Sequence, residues 1–540
     1  MLSCSRLFSI FVSLGLLASC EAGPIPSSAI VSTSKGQVQG YQGSSGTRYT
    51  IPYGKSPVGA LRFRRPAAID SFTGSRHRRF NPRCINSVYD ASKLPKACTQ
   101  QQSLNTPEDQ SEDCLYMNIF TPQNAQPSSK LPVFVWVHGG SFLTGSTKDL
   151  DGFALANSEN MIVVTVQYRL GYFGWLKYDA WGVEGNMGLR DLIFALEVVK
   201  QDIGAFGGDA SLVTLAGQSS GAQMIKALLS TPSAAPLFNR AILHSAPLDY
   251  SPQSPALANA VGSTFLFDLS KCGPYKLACL WRTTPTSVFL GNQTLLQQYA
   301  LQGVFGDQVP FAEPFNVVVD GELVQGDGEG ILNSNKEIIF TTVKDEGCPA
   351  VASLLGLFGG NPSSEQLIGT VFQGRAQPII ASGLYTSQGS ESTSSQEQLV
   401  QLATDFYWAC PTQQFAKAAA EKSTVYLGKF ELGIQASTTT GLSLCDGKVS
   451  HEDDIALVFG SNPTGSSLSS AQQALIKEVQ TRWGSFTRTG NPNPPSYSNW
   501  PALPSNGGGL EILQLGSTPS GGSQVGTEQR TEACKLYASI

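Results

Sequence analysis

The sequence predicts an α/β fold in which a large, mostly parallel β-sheet is covered by helices on both faces. Short β-branched, apolar runs alternate with segments whose apolar spacing fits helices, and this alternation is typical of parallel sheets. The run Leu131–Val137 is apolar at every position, as expected for a strand buried on both faces. The chain has 540 residues, of which 14% are charged, so it is long enough to bury a large core.

Each predicted element follows from a local pattern. Residues 27–60 are short pieces broken by Gly and Ser, which predicts edge strands and turns. Apolar runs that end at turn residues predict core strands at 131–137, 161–168, 212–216, 240–244, 338–343 and 424–432. Helical spacing predicts a helix at 191–200. Segments rich in Ser and Gly are interpreted as surface loops and not as domain linkers, at 387–396, 461–470 and 516–526.

A secretory signal is predicted over residues 1–22. Arg6 precedes an apolar run over residues 7–18, and small residues follow, which predicts cleavage near residues 20–22. Leu17-Ala18-Ser19-Cys20 also resembles a lipoprotein cleavage box. The apolar run is too short to span a bilayer. We therefore expect a secreted protein with a single domain over residues 23–540 and no stable membrane insertion. The formal net charge of −5, without a long basic block, argues against a nucleic-acid partner.

The central motif is Gly217-Gln218-Ser219-Ser220-Gly221, a G-x-S-x-G pattern. A β-branched apolar run precedes it and helical spacing follows, which predicts a sharp strand-to-helix turn that lifts a serine into a cleft. Glycines fit such a turn because side chains two residues on either side of the serine would collide. The following helix offers free N–H groups and its positive dipole end. Ser219 is therefore a candidate nucleophile.

A second glycine-rich motif, His138-Gly139-Gly140-Ser141-Phe142, follows the predicted strand Leu131–Val137. Adjacent glycines after a strand let backbone N–H groups point into a cavity, which is what an oxyanion hole needs. Ligands of parallel sheets bind at the carboxyl ends of the strands. Gly140 and Ser219 are both predicted at that edge of the sheet.

A nucleophilic serine needs a histidine as general base, and the chain contains four histidines. His77 lies in a basic surface run, and His138 belongs to the glycine-rich motif. His451 follows the last predicted core strand and fits the chain order serine, acid, histidine. His244 ends a strand and is the competing candidate. A histidine base must be neutral, so activity is expected to rise through about pH 6–7.

The acid that orients this histidine is expected at a strand end between the serine and the histidine. Asp345 and Glu346 both qualify. Neighbouring side chains point in different directions, so only one of the two can face the histidine. The physical chemistry of the sequence does not choose between them.

Seven motifs occur in one order along the chain: EDCLYMN at 112–118, HGGSF at 138–142, NMGLRD at 186–191, FGGD at 206–209, GQSSG at 217–221, DEG at 345–347 and VSH at 449–451. In this order they resemble the type-B carboxylesterase/lipase family, the cholinesterase-like α/β-hydrolases. The likeness extends from about residue 27 to the C-terminus. It implies an α/β-hydrolase fold and a serine esterase that needs no metal or other cofactor and acts on a small-molecule or lipid ester.

The resemblance also implies roles for individual residues. Its catalytic triad corresponds to Ser219, Glu346 and His451. Its oxyanion donors correspond to the backbone N–H groups of Gly140, Ser141 and Ser220. Ser245 matches a serine near the triad acid, and Arg62 and Glu112 match a structural ion pair.

Disulfides are expected in an exported chain. The resemblance implies Cys98–Cys114 and Cys272–Cys279, and Cys410–Cys534 matches a bridge found in part of the family. Cys348 and Cys445 lie close in sequence to the two triad partners, which makes their pairing a hypothesis. Asn292-Gln293-Thr294 is a predicted N-glycosylation site.

Departures from the family pattern bear on the substrate. The family usually has Glu before the nucleophile, where this chain has Gln218, and no Trp lies between Cys84 and Cys114. A site that lacks both the cation–π face and this negative charge is not expected to prefer choline esters. A lipase of this family would cover its site with a lid in the region of residues 99–113, and such a lid needs an apolar inner face. These residues are almost entirely polar, which predicts soluble or short-chain esters that are uncharged. The alternatives are a lipase or sterol esterase acting on long-chain esters, and a non-catalytic binding protein.

Overall fold

A sheet of 13 strands forms the centre of the fold. The computed structural model describes residues 29–540 except 73–87, 102–106, 149, 265–285, 302–312, 327–335, 359–362, 387–394, 437–441, 464, 466, 507 and 528–529. The strands among the described residues are β1 Ile30–Thr33, β2 Gly36–Gly43, β3 Gly46–Pro52, β4 Val88–Ala91, β5 Ala97–Cys98, β6 Gln110–Ser111, β7 Tyr116–Thr121, β8 Leu131–Val137, β9 Ile162–Val166, β10 Lys177–Tyr178, β11 Val183–Glu184, β12 Gly208–Gln218, β13 Arg240–His244, β14 Glu337–Val343, β15 Val425–Phe430, β16 Glu511–Leu515 and β17 Gln524–Thr527.

The strand order of the central sheet is β1-β2-β3-β7-β9-β8-β12-β13-β14-β15-β16-β17, with β4 paired to β2. All pairs from β9 to β16 are parallel. Antiparallel pairs flank this parallel centre at both edges. The strand β12 lies near the middle of the sheet, and its carboxyl end carries Ser219. The predicted mostly parallel sheet is confirmed.

Both faces of the sheet are covered, as the alternation along β8 demonstrates. Val133, Val135 and Val137 belong to one hydrophobic cluster, and Phe134 and Trp136 belong to another. Successive side chains of a strand point to opposite faces, so each cluster covers one face. Residues of the helices Met187–Asp202 and Ser220–Leu229 contribute to the first cluster. Residues of Ile455–Phe459 and Ser470–Thr489 contribute to the second.

The helices connect the strands, and those between β14 and β15 form a third hydrophobic cluster, which includes Val351, Leu399 and Trp408. The described α-helices are Phe153–Glu159, Gly171–Trp175, Met187–Asp202, Ser220–Leu229, Pro255–Ser263, Thr286–Leu301, Cys348–Phe358, Ser364–Phe372, Ala376–Ala381, Ser395–Ala403, Cys410–Ala420, Ile455–Phe459, Ser470–Thr489 and Thr531–Ser539. A π-helical turn, Thr404–Ala409, joins two of them. None of these helices is long and apolar enough to cross a membrane.

One predicted loop is partly a strand. The segment 516–526 contains the beginning of β17, which pairs with β16 in an antiparallel register that places Leu513 opposite Val525. Residues of β17 are mostly exposed. An exposed edge strand needs no apolar face, and its Gln-Val-Gly-Thr sequence therefore carries no strand signal.

Three disulfides stabilise the described part of the chain: Cys98–Cys114, Cys348–Cys445 and Cys410–Cys534. The first and third are pairings that the resemblance implied, and the second is the hypothesised one. The predicted pair Cys272–Cys279, Cys84 and the predicted signal lie outside the described residues. Arg62 and Glu112 form the expected ion pair through two contacts of 2.6 and 2.7 Å.

Candidate active site

A cavity of about 300 Å³ lies at the carboxyl edge of the sheet. It brings together residues far apart in sequence, and its described lining is Gly140, Ser141, Ser219, Pro247, Tyr250, Glu313, Glu346, Pro349, Ala350, Ser353, Leu354, Trp408, His451 and Glu452. The candidate nucleophile, both candidate triad partners and part of the glycine-rich motif therefore face one space. Two charged residues of this lining, Glu313 and Glu452, are not among the predicted site residues.

Ser219 occupies the turn between β12 and the helix Ser220–Leu229. Its backbone has φ 54° and ψ −126°, a conformation that non-glycine residues rarely adopt. The neighbouring strand stabilises the turn, because the Ser219 N–H donates to His244 O at 2.9 Å. Strain of this kind costs about 1–3 kcal/mol and is concentrated at functional sites. The side chain is 7% exposed.

The glycines of the G-x-S-x-G motif are required by close approach to β8. A Cβ on Gly221 would lie 2.3 Å from the Val137 carbonyl oxygen, and one on Gly217 would lie 2.9 Å from the same atom. Backbone atoms cannot move aside as a flexible side chain can. The motif thus allows the elbow to pack directly against the strand that precedes the glycine-rich turn.

His451 pairs with Glu346 across loops that follow β14 and β15. His451 Nδ1 lies 2.6 Å from Glu346 Oε2, and Glu346 Oε1 accepts a 2.8 Å hydrogen bond from the Val343 N–H. Asp345 instead holds the histidine loop, because its carboxylate accepts a 3.1 Å hydrogen bond from the Val449 N–H. The structure therefore brings Glu346, and not Asp345, to His451.

The pairing with Glu346 changes the proton affinity of His451. Burial lowers the pKa of His451, but the negative charge of Glu346 and their hydrogen bond outweigh burial and raise the pKa to about 9. An imidazole with this pKa becomes neutral only at higher pH than an ordinary histidine. The ascending limb of the pH–rate profile is therefore expected above the range of pH 6–7 that the sequence suggested.

Gln218 contacts the other nitrogen of the same ring. Its Nε2 lies 3.0 Å from His451 Nε2, which fits an imidazole that donates Nδ1–H to Glu346 and accepts at Nε2. Gln218 Oε1 is buried and has no hydrogen-bond partner in the part of the chain that the structure describes. The described side chains of Ser219 and His451 share no direct hydrogen bond. Such contacts often tighten only when the substrate binds.

The two other described histidines are held elsewhere. His244 is fully buried, with Nδ1 at 2.7 Å from Asp454 Oδ2 and with Nε2 accepting a 3.0 Å hydrogen bond from Trp483 Nε1. Both of its nitrogens are occupied, which removes it as a base for Ser219. Burial lowers the pKa of His138 to about 4, so this ring stays neutral beneath the glycine-rich turn. His77 lies outside the described residues.

The glycine-rich turn contains three consecutive residues in the left-handed region. The φ angles are 108° for Gly140, 55° for Ser141 and 60° for Phe142. A Cβ on Gly140 would lie 2.3 Å from the Thr144 carbonyl oxygen, so this position requires glycine. Ser220 begins the helix Ser220–Leu229, where N–H groups are free of helical partners. The assignment of these N–H groups as oxyanion donors stays a prediction.

Beyond Glu452, which follows His451 in sequence, the acidic and aromatic lining residues that sequence reasoning missed are Tyr250, Glu313 and Trp408. Trp408 lies in the π-helical turn, with its ring centre 5.2 Å from that of His451, and its Nε1 donates to Ser245 O at 3.1 Å. These residues carry no motif, and only the tertiary fold brings them to Ser219. The turn that carries Trp408 is π-helical, and such turns are frequent at functional sites. A π-helical turn is not recognisable from sequence, so no signal for Trp408 was visible there.

Two predicted residues have surroundings that bear on their expected roles. Ser245 is fully buried and its hydroxyl has no hydrogen-bond partner among the described residues, so its support of the triad acid stays a prediction. Asn292 lies in the helix Thr286–Leu301, is 8% exposed, and donates from Nδ2 to Val288 O at 2.9 Å. This burial disfavours the predicted glycosylation, because the glycan is attached to that nitrogen on an exposed surface.

The disulfide Cys348–Cys445 links the two segments that carry the candidate triad residues Glu346 and His451. Cys348 begins the helix that follows Glu346, and Cys445 precedes His451 by one turn of loop; 97 residues separate the two cysteines. We expect the double variant Cys348→Ala/Cys445→Ala to lose about 2–5 kcal/mol of unfolding free energy. Its kcat should also fall at temperatures where the protein is folded, because the distance between Glu346 and His451 is then constrained less, by hydrogen bonds such as those between Asp345 and Val449.

The matched control for this prediction is Cys410→Ala/Cys534→Ala, which removes a disulfide between cysteines that are 124 residues apart in sequence. Urea unfolding and steady-state kinetics would be measured for both variants. A comparable loss of stability with kcat retained in the control is the expected result. An equal loss of kcat in both folded variants would contradict a specific role for Cys348–Cys445.

Comparisons with known proteins agree with this site. A sequence model described as "Carboxylesterase family" matches residues 27–537. The chain belongs to the carboxylesterase family. Liver carboxylesterase 1 from Oryctolagus cuniculus is 26% identical over 566 residues, which cover 98% of this chain and 97% of that protein. Cocaine esterase from Homo sapiens is 28% identical over 541 residues, which cover 96% and 93%.

Solved structures support the same assignment. A structure named thermophylic PNB esterase superposes with a TM-score of 0.75 at 26% identity, covering 94% of this chain and 100% of that one. A second, named PNB esterase, has a TM-score of 0.73 at 28% identity. The predicted family and α/β-hydrolase fold are confirmed, and this carboxylesterase-family chain is a carboxylic ester hydrolase. Among its described residues, no group of three or more His, Cys, Asp or Glu is arranged to hold a metal ion.

Proposed function

We propose that the protein is a secreted serine carboxylesterase that hydrolyses uncharged carboxylic esters by acyl transfer through Ser219. The observation that carries this proposal is the convergence of three features in one cavity: the strained Ser219 turn, the His451–Glu346 pair at 2.6 Å, and the turn at Gly140 and Ser141. Each feature has a separate place in the chain, so their meeting is not explained by local structure.

The reaction has two steps. Ser219 Oγ attacks the ester carbonyl carbon while His451 Nε2 takes the hydroxyl proton, and Glu346 stabilises the imidazolium through Nδ1–H. The oxyanion accepts hydrogen bonds from the N–H groups of Gly140, Ser141 and Ser220. His451 then protonates the leaving alcohol, and a water molecule, deprotonated by His451, releases the carboxylic acid and restores Ser219. The amide of Gln218 must yield its place at Nε2 when the substrate binds.

The lining supports uncharged substrates. Among the described lining residues there is no Lys or Arg that would bind an anionic group, and Glu313 and Glu452 would repel one. No Trp lies between Cys84 and Cys114, and Gln218 is neutral, which argues against a preference for choline esters, as the sequence indicated. Both features concern that site alone, because Trp408 and these two glutamates line the cavity. Export is supported by the predicted signal at residues 1–22 and by disulfides, which persist in oxidising compartments.

One observation favours longer acyl chains. Pro349, Ala350 and Leu354, on the helix Cys348–Phe358, line the cavity with apolar surface. Another face of this helix packs in the third hydrophobic cluster through Val351. A lipase or sterol esterase therefore remains the second candidate function.

Hydrolysis of p-nitrophenyl esters from acetate to palmitate separates these functions. We expect kcat/KM to be highest for short chains, because residues 99–113 are almost entirely polar. Activity on every ester should be lost in Ser219→Ala. A maximum at long chains above their solubility limit would indicate a lipase or sterol esterase. No turnover at any chain length, with a folded protein, would favour a non-catalytic binding protein.

A further inference from the structure

Glu313 is a half-buried carboxylate in the substrate cavity that the mechanism above does not use. It lies 172 residues from Ser141 in sequence, yet its Oε1 accepts a hydrogen bond of 2.5 Å from the Ser141 hydroxyl. Burial raises the pKa of Glu313 to about 6. Burial of a carboxylate is costly unless the carboxylate is hydrogen-bonded, and the Ser141 hydroxyl supplies such a bond.

The partner of Glu313 is strained. Ser141 has φ 55°, in a region of backbone conformation that non-glycine residues rarely adopt. The backbone on either side is held by other bonds: the Leu143 and Thr144 N–H groups donate to Gly140 O at 2.9 Å, and the Gly171 N–H donates to Phe142 O at 2.7 Å. The side chain of Ser141 is held by Glu313.

We propose that Glu313 is a positioning residue for the oxyanion turn, which it holds in its strained conformation through the hydroxyl of Ser141. The inference rests on the proposed function, in which the Ser141 N–H is one of the oxyanion donors. That N–H belongs to the strained residue itself, so a rotation of the Ser141 backbone moves the donor. The hydroxyl of Ser141 is thus the group through which Glu313 can hold this backbone, and a glycine would lack it.

The expected effect falls on kcat. An oxyanion forms in the transition state and not in the bound ester, so a misplaced donor slows turnover and leaves KM nearly unchanged. Removal of an oxyanion donor costs about 10²–10³ in rate, and displacement of one should cost less, about tenfold. Glu313→Gln keeps an acceptor oxygen and should stay within about threefold of the wild type.

A double-mutant cycle tests the proposal. Ser141→Ala and Glu313→Ala each remove the hydrogen bond, so each should lower kcat about tenfold, and the double variant should be no slower than either. In a Ser141→Gly background, glycine adopts positive φ without help, and Glu313→Ala should then change kcat less than twofold. Thermal unfolding of every variant verifies that the proteins are folded.

Three results would overturn the proposal. They are additive effects in the cycle, an undiminished effect of Glu313→Ala in the Ser141→Gly background, and a loss in Glu313→Gln as large as in Glu313→Ala. The rate of labelling by a serine-directed organophosphonate is measured in parallel, because its phosphoryl oxygen also needs the oxyanion donors. Hydrolysis that survives Ser219→Ala would refute the proposed function, whereas additivity in a Ser219-dependent activity would refute only the role of Glu313.

Discussion

Replacement of Ser219 by alanine is expected to lower kcat by about 10⁵–10⁶ and to leave folding intact. The variant loses the attacking oxygen, and neither His451 nor the oxyanion donors can form the covalent intermediate without it. The acceleration that the variant still shows over uncatalysed hydrolysis in water would reflect oxyanion stabilisation and substrate binding alone. The measurement is steady-state hydrolysis of a short p-nitrophenyl ester by variant protein prepared separately from the wild type.

A matched control exists at the other end of the same helix. Ser230 follows Ser220–Leu229 and lies away from the described cavity lining, so Ser230→Ala should keep kcat within about twofold. A folded Ser219→Ala variant that retains more than about a tenth of wild-type kcat would contradict the assignment of Ser219 as nucleophile.

Replacement of Glu346 by glutamine is expected to lower kcat by about 10³–10⁴. The amide cannot stabilise the imidazolium, and its NH₂ group favours the wrong tautomer of His451. The sign of the pH effect follows from the pKa of His451, which the Glu346 charge raises to about 9. In the wild type, His451 becomes neutral only as pH approaches that value. In Glu346→Gln, burial lowers the pKa of His451 and is opposed only by the smaller effects of Glu452 and Asp454, so the residual activity should rise at lower pH.

Asp345→Asn is the control for this shift. Asp345 is adjacent in sequence, and its carboxylate accepts from the Val449 N–H rather than from His451. Asparagine keeps an acceptor oxygen, so the ascending limb should stay in place and kcat should fall less than about tenfold. If the ascending limb of the pH–rate profile shifts in Asp345→Asn and not in Glu346→Gln, the acid role belongs to Asp345.

The core of the fold was predictable because its strands are buried on both faces. A short run that is apolar at every position, such as Leu131–Val137, is typical of a strand that is buried on both faces in the centre of a sheet. The observed strand β8 has the same bounds. Strand β12 extends beyond its predicted apolar part at both ends, because Gly208 pairs with Leu131 of β8 and parallel pairing with β13 continues to Gln218. The polar edge strand β17 could not be predicted, since it is stabilised by backbone pairing and not by burial.

The site was predictable where backbone geometry imposes a sequence pattern. The elbow at Ser219 and the turn at Gly140 need glycines at given positions, and these glycines are visible in the sequence. The choice between Asp345 and Glu346 depends on side-chain direction, which neighbouring residues do not reveal. Glu313 reaches the turn through a hydrogen bond to Ser141, 172 residues away in sequence, and no local pattern indicates it.

Covalent labelling by a serine-directed organophosphonate, with the modified peptide identified by mass spectrometry, tests the central claim most directly. The account predicts one adduct per chain, located on Ser219 and abolished in Ser219→Ala, with labelling slowed in His451→Ala because the serine is no longer deprotonated. An adduct on another residue, or hydrolysis that continues in a protein that takes up no label, would contradict Ser219 as the nucleophile.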